Sequence, residues 1–126
     1  LRGHTGQHPI IIARMCAHVN FRDWLLKIRT DFVRASSRPD ANADTPIVVA
    51  IYCRVGKHRS VAATMILKHI LLAEGWSLLD VRHVSAPRWP TWMCKGACKD
   101  CSAPEGDMLE RMIDALATAL AYWRSG

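Results

Sequence analysis

The 126-residue sequence predicts an α/β domain in which a small, mainly parallel sheet is flanked by helices. Three observations lead to this fold class. Residues 47–52 are a short β-branched run of the kind that forms a buried strand. A helical pattern follows, and residues 78–84 then form a second apolar run. Strand, helix and strand in this order predict a parallel unit with a right-handed crossover.

The remaining segments are predicted as helices and loops. Apolar residues three or four apart over residues 8–35 indicate one or two amphipathic helices with a break at Asn20. Residues 36–46 are turn formers and predict a surface loop. The helix of residues 58–74 should end at Gly75. A last helix over residues 107–123 is expected to turn its apolar side chains inward: Met108, Leu109, Met112, Ile113, Leu116 and Leu120.

Composition indicates a single globular domain over residues 1–126. Half of the residues are hydrophobic and 22% are charged, which excludes a disordered or fibrous chain. The longest apolar run is too short to span a bilayer, so no membrane partner is expected. Two strands are too few for a stable sheet. We therefore expect that the chain is a fragment lacking an N-terminal strand, or that a second copy or additional domains of the parent chain complete the sheet.

The cysteine count indicates the cellular compartment. Five cysteines are an odd number, so at least one thiol is unpaired, and no secretory signal precedes them. These features favour a reducing compartment, and we expect a cytoplasmic protein.

The positive charge is concentrated in the middle of the chain. The formal net charge is +6, and residues 53–101 hold eight Lys and Arg against three Asp and Glu. Such an excess attracts phosphate-bearing ligands, although a solvated basic surface has the same charge count.

Residues 53–60 follow the first predicted strand and lead into a helix, and we term this strand–turn–helix segment the anion cradle. The unpaired N–H groups at the start of a helix favour an anion. Gly56 lets the backbone approach it closely, and Arg59 offers a planar two-pronged grip on phosphate. The thiolate of Cys53 would be stabilised there, which makes it a candidate nucleophile.

The spacing of Cys53, Arg59 and Ser60 resembles that of the protein tyrosine phosphatases and their dual-specificity relatives. This resemblance implies an enzyme in which Cys53 is the nucleophile and Arg59 binds the phosphoryl group. Such an enzyme also needs a general acid. Four aspartates are candidates by position but lie in no acid-loop motif: Asp23, Asp31, Asp40 and Asp44. A binding module is therefore favoured over an enzyme.

Three separated motifs resemble the C-terminal domain of the RapZ family, the YvcJ-like RNase adapter proteins. They are Leu1-Arg2 with Thr5-Gly6, the run from Gly56 to Val61, and Arg82-His83. The resemblance implies an α/β domain that binds RNA or a phosphorylated small molecule such as a phosphosugar through residues 53–60. It also implies the ligand-binding residues Arg2, Thr5, Cys53, Gly56, Lys57, His58, Arg59, Ser60 and His83.

A second constellation lies in the Cys-rich loop, which we define as residues 85–104. Cys94, Cys98 and Cys101 have spacings that suit one tetrahedral zinc ion. A structural zinc site needs a fourth ligand. His83 is the favoured candidate, and Cys53 is the less favoured one because it would block the anion cradle. Free thiols, or one disulfide with a spare thiol, are the alternatives.

Overall fold

The computed structural model describes residues 3–40, 42, 44–52 and 58–126. In chain order the helices are α1 (Pro9–Ala17), α2 (Phe21–Ser36), α3 (Arg59–Ala73), the short α4 (Lys99–Ser102) and α5 (Gly106–Arg124). A 3₁₀ turn, Ala86–Arg88, lies within the Cys-rich loop. None of the described helices is long and apolar enough to cross a membrane.

The predicted α/β fold class is wrong for the described part of the chain, which contains no β-strand. Residues 47–52 and 78–84 lack a ladder partner among the described residues. Val48, Tyr52 and Leu79 are largely exposed there. β-branched residues favour a strand only where neighbouring strands provide a pleated, half-buried surface. Helices form the core of the described chain instead, so neither the predicted parallel sheet nor its crossover is present.

The predicted helices are confirmed, and their ends follow from local chemistry. The break near Asn20 separates α1 from α2. The α1 helix begins with Pro9, and the imidazole of His8 accepts a hydrogen bond from the Ile10 amide. The α3 helix ends at Ala73, and Gly75 lies just beyond it with a φ of 89°, which allows the Gly75 and Trp76 amides to donate hydrogen bonds to carbonyls of the last turn.

The core lies between the four longer helices. The α1 helix packs against α2, α3 and α5, and α5 also contacts α2 and α3. The α3 helix has seven buried side chains, more than any of the other helices: Val61, Ala62, Ala63, Ile66, Leu67, Ile70 and Leu71. A second apolar cluster of Val61, Trp89 and Met93 holds the Cys-rich loop against the first turn of α3. The fold thereby brings the Cys-rich loop beside the first turn of α3.

The inward face predicted for α5 is only partly correct. Ala115, Ala119 and Trp123 are its buried residues, whereas Leu109 and Ile113 are exposed. Small alanine side chains let helices pack closely, so the alanine face of α5 enters the core. Of the residues predicted to face inward, Met112, Leu116 and Leu120 are half-buried and pack against the edge of the core.

Candidate functional site

One histidine and three cysteines form a compact group between the N-terminal segment and the Cys-rich loop. The ligand atoms of His4, Cys94, Cys98 and Cys101 all lie within 4.8 Å of one another, and all four residues are half-buried. The Nδ1 atom of His4 is 3.4 Å from Cys94 Sγ, 3.4 Å from Cys98 Sγ and 3.5 Å from Cys101 Sγ. These residues are close enough to hold a metal ion, and we term the group the Cys3His centre.

The separations can be compared with a tetrahedral site. With Zn–S bonds of about 2.3 Å and a Zn–N bond of about 2.0 Å, the edges of a tetrahedron are about 3.8 Å for S···S and 3.5 Å for N···S. The Cys94 and Cys101 sulfurs are 3.7 Å apart, far beyond a disulfide bond. All three cysteines are free thiols. The donor set and the measured edges therefore suit zinc.

The turn after Cys94 orients its sulfur. Lys95 and Gly96 have positive φ angles of 53° and 84°, and the Gly96 amide donates a hydrogen bond to Cys94 Sγ over 3.4 Å. A side chain on Gly96 would collide with the amide group of Gln7. Cys98 then caps the short helix α4, which carries Cys101 back toward the same point.

The thiols of the centre differ in acidity. Burial acts to raise the pKa of Cys94, but hydrogen bonds from the Gly96 amide and contacts with His4 and Cys101 outweigh it and lower that pKa to about 6. Burial and the neighbouring Cys98 and Cys94 raise the pKa of Cys101. A cysteine binds a metal ion as its thiolate, so a bound cation would displace the proton from the Cys101 thiol.

The N-terminal segment, residues 3–8, connects the centre to the helical core. The Cys94 amide donates to the carbonyl of Gly3 over 2.9 Å. The rings of His4 and His8 lie 4.4 Å apart, and Nε2 of His8 is 3.9 Å from the carboxylate of Asp100. Burial and the proximity of His4 lower the pKa of His8. The segment is thus fixed both to the loop and to the start of α1.

The same segment contacts the first turn of α3. The ring of His58 donates a hydrogen bond from Nε2 to the carbonyl oxygen of His4 over 2.7 Å. A Cβ on Gly6 would lie 2.2 Å from both the His58 carbonyl oxygen and the Ala62 amide nitrogen. His4 therefore belongs to the centre through its ring and contacts His58 through its backbone.

Comparison with known proteins identifies the domain. The family model described as the RapZ C-terminal domain matches residues 1–91. The chain belongs to the RapZ C-terminal domain family. No curated protein and no solved structure matches it. His4 lies inside the stretch that matches the RapZ C-terminal domain, whereas all three cysteines of the centre lie after its last matched residue.

The described part of this RapZ C-terminal domain places only some of the predicted ligand-binding residues. Arg59 is exposed at the start of α3, Ser60 follows it, and Thr5 is fully buried. Thr5 accepts a hydrogen bond from the Gln7 amide through its hydroxyl oxygen. The predictions for Arg2, Cys53, Gly56 and Lys57 lie outside the described residues.

His83, the fourth ligand predicted from the sequence, is not in the Cys3His centre. Its ring lies 6.1 Å from that of Trp89, and burial lowers its pKa. The structure brings His4 to the three cysteines instead. His4 is 90 residues from Cys94, so motif spacing carried no signal for it.

The aspartates considered as general acids are exposed, on α2 or in the loop that follows it. Asp31 pairs with Arg34 at 3.8 Å, and Asp40 pairs with Arg38 at 3.5 Å. These two ion pairs are local to their own segments and do not involve the start of α3.

Proposed function

We propose that this RapZ C-terminal domain binds a phosphorylated ligand, RNA or a phosphorylated small molecule, at residues 53–60. The observation that carries the proposal is the start of α3 at Arg59, in a Gly-Lys-His-Arg-Ser run that lies within the stretch matched by the family model. The first turn of α3 contains no acidic residue, and Arg59 is exposed. The positive end of the helix dipole and a guanidinium at one point favour a phosphate.

The Cys3His centre has a separate role in this proposal. Four protein ligands leave no open position on a tetrahedral zinc ion, which is the pattern of structural rather than catalytic zinc sites. We propose that zinc binds to His4, Cys94, Cys98 and Cys101 and fastens the Cys-rich loop. That loop contains a single 3₁₀ turn and the four-residue α4, so little regular structure holds it otherwise.

Metal content tests the zinc assignment directly. Purified without chelator, the protein should contain about one equivalent of zinc, and His4→Ala or Cys98→Ser should retain less than about half. Cys16→Ala is the matched control, because Cys16 lies buried in the helical core and outside the centre. Less than half an equivalent in the wild-type protein, or equal zinc in His4→Ala and the wild type, would refute the assignment.

RNA binding tests the proposed function. Fluorescence anisotropy with a short labelled single-stranded RNA should give an affinity that falls with salt. Arg59→Ala should weaken binding about tenfold, since it removes charge-assisted hydrogen bonds to phosphate. The matched control is Lys68→Ala, which removes an exposed charge further along the same helix. Equal losses in the two variants would argue against a site at the start of α3.

Hydrolysis of an aryl phosphate separates the phosphatase alternative from the binding module. The spacing of Cys53, Arg59 and Ser60 favours that alternative, and its activity would vanish in Cys53→Ser. We expect no turnover in the wild-type protein or in Cys53→Ser. If RNA does not bind, inorganic phosphate does not bind and the aryl phosphate is not hydrolysed, the proposed function has no support.

A further inference from the structure

The Cys3His centre and the start of α3 share one residue, His4. Its ring nitrogen lies 3.4–3.5 Å from the three sulfurs, while its carbonyl oxygen accepts the 2.7 Å hydrogen bond from His58. His58 immediately precedes α3, and its carbonyl oxygen accepts a hydrogen bond from the Ala62 amide over 2.8 Å. One continuous set of contacts therefore runs from the sulfurs to the first turn of the helix.

We propose that metal binding at the Cys3His centre positions the first turn of α3 and thereby raises its affinity for phosphate, with His58 as the positioning residue. This inference rests on the proposed phosphate site. When the three sulfurs and His4 bind one metal ion, the His4 peptide is held in place. His58 then has a fixed acceptor, and the residues after it, Arg59 and Ser60, are presented in one orientation.

Two further contacts make the same connection by packing. Gly6 fits against the backbone of His58 and Ala62 with no room for a side chain. Val61 packs with Trp89 and Met93, which precede Cys94 in the loop. Because close-packed groups transmit displacements, loosening of the loop would be felt at the first turn of α3.

The sign of the effect separates positioning from simple electrostatics. A zinc ion bound by three thiolates and a neutral imidazole has a net negative charge, which by itself would weaken the binding of a nearby anion. Positioning of the first turn of α3 would instead raise the affinity for the anion. By thermodynamic linkage, bound phosphate must change the affinity for zinc by the same factor by which zinc changes the affinity for phosphate.

Affinities of zinc-loaded and chelator-treated protein for the same labelled single-stranded RNA test the inference. Zinc should raise the wild-type affinity roughly tenfold. In His58→Ala, zinc should still bind but change the RNA affinity less than about twofold, and His58→Gln should restore the effect because its amide can donate to the same carbonyl. The matched control, His69→Ala on the same helix, should keep the wild-type ratio. A lower affinity with zinc would overturn the inference.

Hydrogen exchange distinguishes failure of this inference from failure of the proposed function. In zinc-loaded protein without RNA, the amides of Ala62 and Ala63 should be more protected in the wild type and His58→Gln than in His58→Ala. This comparison needs neither RNA binding nor a folded zinc-free state. Equal protection in all three proteins would overturn the inference. Protection that follows the expected order, without RNA binding in any state, would refute only the phosphate site.

Discussion

Gly6 is a residue at which the N-terminal segment packs directly against the backbone at the start of α3. Its α-carbon faces backbone atoms of His58 and Ala62, which cannot move without distorting the first turn of the helix. Gly6→Ala should therefore lower the free energy of unfolding by at least about 2 kcal/mol, as overpacking against backbone does. Urea unfolding of the zinc-loaded protein measures the change.

Gly3→Ala is the matched control for this substitution. A Cβ on Gly3 would make ordinary contact with the Trp92 ring at 3.6 Å, so stability should change by less than about 0.5 kcal/mol. Equal stability of the two variants would mean that the segment does not pack against α3 as described.

At the residue scale the sequence predicted part of the centre. Cys94, Cys98 and Cys101 are close along the chain, so any fold brings their sulfurs near one another, and their spacing was enough to suggest a metal. The histidine could not be inferred in this way, because its position depends on how the N-terminal segment packs on the loop. His83 is the histidine nearest to the three cysteines in sequence. His4 shows that nearness in the fold is a different property.

At the scale of secondary structure elements, periodicity predicted the helices better than β-branched composition predicted strands. A helix satisfies its backbone hydrogen bonds within itself, so an amphipathic pattern and a stop such as Gly75 are local signals. A strand needs a partner from elsewhere in the chain. Residues 47–52 have β-branched side chains, but no described segment pairs with them.

The burial of α3 leads to a stability prediction for this element. Ile66 is fully buried in the main core, so Ile66→Ala should lower the free energy of unfolding by about 2–5 kcal/mol through lost burial and a residual cavity. Leu72→Ala is the matched control, since Leu72 lies on the same helix and is 50% exposed. Chemical denaturation followed by the helical circular dichroism signal measures both. A loss for Leu72→Ala as large as that for Ile66→Ala would contradict the described packing of α3.

At the scale of the whole molecule, the described residues form a helical core and a Cys-rich loop that is attached to it. The attachments include the apolar cluster of Val61, Trp89 and Met93 and the Cys3His centre. Because α4 has only four residues, the loop depends on these attachments. Metal bound to the folded state alone should stabilise it by mass action.

Limited trypsin digestion should detect this dependence. Arg88, Lys95 and Lys99 are exposed in the loop, and removal of zinc should increase cleavage after them severalfold because the loop opens locally. Arg34, which is exposed in the last turn of α2 and is followed by Ala35, is an internal control whose cleavage should not change with zinc. Loop cleavage that is the same with and without zinc would show that the centre does not hold the loop.

Zinc K-edge X-ray absorption reports directly on the ligands of the Cys3His centre. The spectrum of the zinc-loaded protein should fit three sulfur ligands at about 2.3 Å and one nitrogen ligand at about 2.0 Å. In His4→Ala the nitrogen contribution from imidazole should disappear from any zinc that remains. A wild-type spectrum with only nitrogen and oxygen ligands, or one unchanged by His4→Ala, would contradict the account.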